Sequence, residues 1–447
     1  MSAIPGRRWC GRNSRKKSGE PASACKESPR HCGIQHESGP GGRELTVAKR
    51  WIVGGLDVGT TKVCTCIGEV TPDGVHILGV GVSPSQGLRR GVVVDLDAAA
   101  RAIQESVAAA EQMAGTSLES VYVGVSGPHI SSLNSSGVIA IAGAKGEIRP
   151  EDTQRVLQAA RAVKLAQDRE ILHVLPREFI VDGYKGIRDP VGMTGVRLEA
   201  VVHIVTGAVS HMQNLVKAVQ RAGVAVAELV LPALAAAEAV LDPADREMGV
   251  ALVDIGGGTT DVAVFADGRV AHTAVVPVSA QHVTNDIAVG WQIPLAQAEE
   301  IKLQYGCALR ELAAVRQSPA PRPAANRLSL ADIVVPRIEE LFQLVQAEIQ
   351  RAGGGEMLPG GVVLTGGGAL MEGMLEAAQR YLGMPARLGV PLVSGGLADV
   401  VNSPVYSTAV GLMQYGCQQV EAPAPSANGA PWGRLVERVK QWLSELL

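Results

Sequence analysis

Three times along this chain a short apolar run stops abruptly at glycine. WIVGGLDV at 51–58 is followed by GTTK, GVALVDI at 249–255 by GGGTTD, and GVVLT at 361–365 by GGGALMEGM. Such runs, β-branched and uncharged except for a late aspartate in the first two, are the pattern of buried strands. Alternating apolar positions and turn glycines over 51–81 predict a β-meander. The alanine-rich stretch 97–114 has helical spacing, and VYVGVSG at 121–127 is a further buried strand ending in glycine. The rhythm then changes. Over 128–202, short strands (SGVIAIAG), a helix near 150–164 and strands around 171–184 predict a small inserted α/β module. VVHIVTGA resumes the strand pattern, and a helix follows from about 210 to 223. VAVFADGRVAHTAVV reads as a hairpin turning at Asp267 and Gly268. Segments 281–312 and 328–352 are predicted helices on either side of SPAPRPAANR, and QQVEAPAPSANGAP at 418–431 is a Pro/Ala linker.

The first two glycine ends share one grammar. Asp57 precedes Gly59, Thr60, Thr61 and Lys62, and Asp254 precedes Gly256, Gly257, Gly258, Thr259 and Thr260. Glycine reaches backbone angles that other residues avoid, and without a Cβ its N–H groups can close around an anion. Threonine adds a hydroxyl donor and Lys62 a point charge, while a strand-end aspartate can hold Mg²⁺ through water. One such loop alone reads more readily as a tight hairpin. Two of the same design favour a pair of phosphate loops clamping one nucleotide, and they imply two similar halves facing a shared cleft. The third run, Gly366, Gly367 and Gly368, suits the close approach of a flat, uncharged nucleoside.

Composition narrows the class. At 447 residues the chain has room for more than one core, and with 3% aromatic residues those cores must be aliphatic. A net charge of −3 gives no electrostatic case for nucleic acid as a partner. The seven cysteines show no metal-ligand spacing and are odd in number, which points to a reduced, cytoplasmic setting. Residues 1–48 are basic and lack apolar periodicity, so a disordered tail is expected there; a basic arm, or translation starting near Val47, are the other readings.

In PWGRLVERVKQWLSELL, Trp432, Leu435, Val436, Val439, Trp442, Leu443, Leu446 and Leu447 form one helical stripe. Arg434, Glu437, Arg438, Lys440, Gln441 and Glu445 lie opposite. Two tryptophans on the apolar side suit the interfacial zone of a bilayer, in which such a helix lies without spanning. The other reading is a helix docked on its own core or on another chain.

DVGTTK, DIGGGTTD and LTGGGALMEG, in this order, resemble the actin/Hsp70/sugar-kinase ATPase superfamily. From about Ile52 onward the chain is more closely similar to the FtsA family of bacterial cell-division proteins, through VGVSGPHI, HVTNDIAVG, AEEIKLQYG and the terminal helix. The resemblance implies an α/β fold, actin-like and two-lobed, with duplicated sheet and helix cores. A first lobe would span 49–245 with a small α/β subdomain inserted at 128–202, and a second lobe 246–384 with a helical subdomain at about 278–355. Residues 385–417 would return to the first lobe, and helix 432–447 would follow the linker.

The ligands it implies are ATP and Mg²⁺. Asp57 and Asp254 would lie in the metal's environment, Asp254 also positioning the attacking water, with both loops at the phosphates and Gly366, Gly367 and Gly368 against the nucleoside. Glu299 and Lys302, three apart on one helix face, would contact adenosine or else form a surface ion pair. Ser279 and Ala280 stand where the family has glycines. Side chains there would hold that loop off the phosphates, which bears on hydrolysis more than on binding. The implied role is an ATP-dependent adaptor, at most a weak ATPase, tethering the tubulin-like polymer of FtsZ to the inner face of the cytoplasmic membrane. It would recruit other division proteins and assemble with itself into filaments. A type IV pilus assembly scaffold and a metabolic kinase of the superfamily are the alternatives. Arg337, beside Leu341 and Phe342, is at the position matching the family's docking site for the acidic C-terminal peptide of FtsZ; an Arg–Glu pair over a core helix is the other reading.

Overall fold

The computed structural model describes residues 51–71, 74–142, 146–316, 329–354, 358–393 and 395–421. The expected tail at 1–48 and the amphipathic helix at 432–447 lie outside the described residues, as does the linker beyond 421.

The meander β1 (Trp51–Val58), β2 (Lys62–Thr71) and β3 (Gly74–Pro84) opens the first lobe, followed by the short ribbon β4 (Leu88–Arg89) and β5 (Val92–Val93). Then come α1 (Leu96–Ala114) and β6 (Ser120–Gly124). Asp95 caps α1 by accepting from the N–H groups of Asp97 and Ala98, and Gly115 ends it in the left-handed region at φ 65°. Next is the insert: β7 (Ser131–Ala140), α2 (Pro150–Arg161), β8 (Arg169–Val181), β9 (Tyr184–Ile187) and β10 (Arg197–Ala208). The first lobe resumes with α3 (Val209–Arg221), β11 (Ala225–Val230), α4 (Pro232–Val240) and α5 (Pro243–Met248). The second lobe contains β12 (Val250–Ile255), β13 (Thr260–Ala266), β14 (Arg269–Val276), α6 (Ala280–Trp291), α7 (Leu295–Tyr305), α8 (Arg310–Arg316), α9 (Leu330–Ala352), β15 (Val362–Thr365), α10 (Met374–Leu382) and β16 (Ala386–Leu388). Finally β17 (Gly395–Gly396) and α11 (Ser407–Glu421) return to the first lobe.

Sheet order makes the duplication visible. The first lobe reads β11-β6-β1-β2-β3-β17 and the second β14-β13-β12-β15-β16. In each, the strand bearing the key aspartate is hairpin-paired on one side and parallel-paired on the other, β1 between β2 and β6, β12 between β13 and β15. The register repeats too: Asp57 faces Cys64, and Asp254 faces Asp261.

Four expectations are corrected; one is the return to the first lobe, expected at 385, since β16 still pairs with β15 in the second-lobe sheet. VVHIVTGA does not resume the lobe's sheet. It belongs to β10, the strand between β7 and β8, so the insert runs on to Ala208 instead of ending at 202. A continuous apolar run marks burial without saying which sheet buries it. The predicted helix 281–312 is three helices: α6 ends at its C-cap Gln292, which is left-handed at φ 53°, and α7 starts after Pro294 and ends at the C-cap Gly306. The linker predicted from 418 begins later, because α11 continues to Glu421.

Small side chains join the halves. Pro232 to Ala237, Ala239 and Val240 of α4 are all buried, and α4 packs on α11 at one side and on β12 and β13 at the other. A Cβ on Gly411 of α11 would lie 1.8 Å from the Ala235 carbonyl oxygen, so the two helices touch backbone to backbone. Gly411→Ala is therefore expected to cost about 3 kcal/mol, seen as a melting temperature lower by about 5 °C. Gly115→Asn, at an open left-handed position, serves as a near-neutral control in the same thermal scan.

Candidate functional site

Both lobes contribute to one cavity of about 580 Å³. Asp57, Gly59, Thr60, Thr61 and Lys62 line it from the first lobe; Asp254, Gly256, Gly257, Gly258 and Thr259 from the second; Glu299, Lys302, Gly366, Gly367 and Gly368 complete the wall. The two loops close by the same bond, Gly59 N–H to the Lys62 carbonyl and Gly256 N–H to the Thr259 carbonyl, each 3.0 Å. They also face each other. A Cβ on Gly257 would sit 2.4 Å from Thr61 Cγ2, and one on Gly258 would sit 2.1 Å from Thr60 Oγ1. Gly367, by contrast, would meet nothing within 4 Å.

Thr260 is the one predicted loop residue that does not face the cavity. Side chains alternate along a strand, so Thr259 and Asp261 point inward while Thr260 is fully buried, its hydroxyl donating to the Val278 carbonyl at 2.7 Å. Glu299 and Lys302 do form an ion pair, at 2.8 Å, yet not on the surface: Lys302 is 8% exposed and donates to Thr284 Oγ1. Ser279 does not intrude on the loop either. It lies behind, its hydroxyl donating to the Gly257 carbonyl at 2.7 Å, while the N–H groups of Ala280 and Gln281 bond the carbonyls of Gly256 and Gly257. This serine braces the second loop, while Ala280, the other residue in place of a glycine, lines the cavity.

The floor holds more acid than the sequence reading assigned. Asp261 went without a role there, as did Ser126 and Thr408. Ser126 donates to both oxygens of Asp261, at 2.7 and 2.9 Å, and Thr408 donates to Asp254 at 2.7 Å. Each bond crosses from first lobe to second. Strand alternation after Thr259 was the available signal for Asp261; nothing local pointed to Thr408. Burial raises Asp254 to about 6, partly offset by the Thr408 hydrogen bond, and raises Asp261 to about 7, helped by the nearby Asp254. Burial also raises Asp57, outweighing Lys62. For Lys62 burial acts downward, but Asp57, Cys64 and Asp254 together outweigh it and hold the ammonium above its ordinary range. Its Nζ lies 3.6 Å from Asp57 Oδ2 and makes no hydrogen bond. Among the described residues no group of three or more His, Cys, Asp or Glu could hold a metal ion directly.

Arg337 differs from its expected surroundings. Its guanidinium is bonded by Asp286 at 2.6 and 3.0 Å and by Glu340, while Leu341 and Phe342 are buried in the second-lobe core. Arg337 is thus an acid-paired arginine over a core helix. The apolar stripe at 432–447 lies outside the described residues, among which no helix is long and apolar enough to cross a membrane.

The family model described as cell division protein FtsA matches residues 251–411, and that of the SHS2 domain inserted in FtsA matches 127–206. The cell division protein FtsA of Pseudomonas aeruginosa is 46% identical over 404 residues, 87% of this chain and 96% of that protein. Its counterpart in Escherichia coli (strain K12) is 40% identical over 417 residues, 89% and 99% of the two chains. Among solved structures, a chain of the PilM–PilN type IV pilus biogenesis complex is similar with a TM-score of 0.62 at 18% identity, covering 81% of this chain and 98% of that one. At that identity the likeness shows the fold alone, which is two-lobed, α/β and actin-like, with a subdomain inserted in the first lobe. The relatives at 40% identity and above, spanning nearly their whole length, decide against the kinase and pilus alternatives: the chain belongs to the FtsA family of cell division proteins.

Proposed function

We propose that the chain binds ATP with Mg²⁺ in this cleft and serves as a membrane-tethering adaptor for the division polymer. One observation carries the nucleotide reading: two loops of the same design, one from each lobe, meet face to face over a cavity of about 580 Å³. That size lies within the range of small-ligand sites. The N–H groups of both loops are the donors for the phosphates, and Lys62, a cation without a hydrogen bond, supplies the compensating charge. Thr60 already accepts from Gly91 N–H at 3.0 Å, which leaves its own proton for an anion. Asp57 and Asp254 would hold Mg²⁺ through water, and the ion would neutralise phosphate charge. Asp254 is also placed to orient an attacking water. Gly367, with open space before it, admits the flat nucleoside beside Glu299 and Lys302.

The adaptor half of the reading rests on the family and on two sequence features. Arg337 would take the acidic C-terminal peptide of FtsZ in exchange for its present carboxylates, Asp286 and Glu340. The stripe from Trp432 to Leu447 would lie in the interface on the cytoplasmic face of the membrane. One short helix holds lipid weakly, so self-assembly into filaments would supply several copies at once. Recruitment of further division proteins belongs to the same reading.

Three outcomes are expected. ATP–Mg²⁺ at a hundred times its Kd should stabilise the chain by about 2.7 kcal/mol. Asp57→Ala and Gly257→Val should abolish that shift in a thermal scan, and an unshifted wild type at millimolar ATP would sink the nucleotide reading. Arg337→Glu should weaken an FtsZ C-terminal peptide about tenfold in fluorescence anisotropy while leaving ATP binding intact; unchanged peptide affinity places the dock elsewhere. Trp442→Glu, or truncation before Trp432, should release the protein from anionic liposomes in flotation. A truncated chain that still floats has no tether there.

A further inference from the structure

We infer that Thr408 is a positioning residue of the nucleotide site: its hydroxyl, delivered from the first lobe, fixes the Asp254 carboxylate of the second lobe so that it faces metal and attacking water. The inference rests on the ATP reading above. Thr408 is the second residue of α11, and its Oγ1 donates to Asp254 Oδ2 at 2.7 Å. Both residues are 7% exposed, and both line the cavity. The other carboxylate oxygen is placed by a different element. A Cβ on Gly366, which has φ +81°, would lie 2.2 Å from Asp254 Oδ1, so only glycine leaves that oxygen room. The carboxylate is therefore held by a donor on one oxygen and a backbone wall at the other.

Thr408 is itself held in place. Its neighbour Ser407 is fully buried and accepts a hydrogen bond from Thr365 Oγ1 at 2.7 Å. Thr365 is the register partner of Asp254 in the β12–β15 pair. The start of α11 is thus tied at consecutive residues to the two strands whose ends form the cleft floor. Gly411, seated against the Ala235 carbonyl, keeps α11 from sliding along α4. A hydroxyl so located does two separable things. It bridges the lobes, and it sets the direction of the carboxylate. Only the second makes Thr408 part of the site.

The experiment separates them by magnesium. Thr408→Val keeps the shape and removes the donor; Thr408→Ser keeps the donor. ATP affinity is measured by calorimetry for each full-length variant, with Mg²⁺ and with EDTA, alongside the melting temperature. A misaligned Asp254 should weaken ATP–Mg²⁺ binding about tenfold, the scale of one hydrogen bond to a charged acceptor, leave binding in EDTA unchanged, and be rescued by serine. Valine binding ATP–Mg²⁺ as the wild type does overturns the inference. So does an equal loss with and without Mg²⁺, which assigns Thr408 to the lobe contact alone. Should the valine variant not fold, Thr408→Ala is read against the same outcomes. A wild type that binds no ATP in either buffer overturns the underlying reading instead, and is recognised by having no affinity to lose.

Discussion

The cleft exists because backbones approach more closely here than most side chains permit. Gly257 and Gly258 accept Thr61 and Thr60 against their α-carbons, and Gly366 accepts a carboxylate. Behind the cleft, α4 presents alanines to both lobes, and Gly411 rests on a peptide carbonyl. At Gly257, Gly258, Gly366 and Gly411 an added methyl would overlap the neighbour it meets. Interiors are close-packed solids, so a misfit at the joint would displace the loops that the joint positions.

Charge at the floor is the counterpart of that tight packing. Asp57, Asp254 and Asp261 lie in or beside the cleft with Lys62 as their near cation, and burial works against all three carboxylates. Removing carboxylates from water is unfavourable unless partners are supplied. Ser126, Thr259 and Thr408 supply some of them as hydroxyl donors. Such concentrations of perturbed acids mark sites of chemistry more often than they mark scaffolding. Stability is spent in the cleft, and the aliphatic cores of both lobes carry it.

The lobes were legible because their strands end in a repeated phrase. Period and glycine placement gave the meander, the α1 helix and the three cleft edges. Destination was not legible. VVHIVTGA reads as a buried strand whichever sheet receives it, and only pairing with β7 and β8 assigns it to the insert. Within the second loop, strand alternation after Thr259 was the signal that would have sent Thr260 to the core and Asp261 to the cavity. For Arg337 the nearby Glu340 is the partner that the Arg–Glu reading anticipates, whereas Asp286, fifty-one residues away in sequence, is not locally legible. Thr408 reaches Asp254 across 154 positions, and no local pattern encodes a bond of that kind.

Near the cleft the two matched aspartate hairpins differ in charged groups at two of their positions. Cys64 faces Asp57 where Asp261 faces Asp254, and two residues earlier Lys62 of the first hairpin answers to Thr259 of the second. Perfectly repeated halves would form a clamp with a two-fold axis, indifferent to which end of a phosphate chain entered first. Replacing one acid by a thiol and one hydroxyl by an ammonium removes that axis. The first lobe then presents Lys62 beside Asp57, and the second presents Asp254 and Asp261 with no cation of its own loop. The two jaws thus differ in charge, and a phosphate chain bound between them would meet unlike ends.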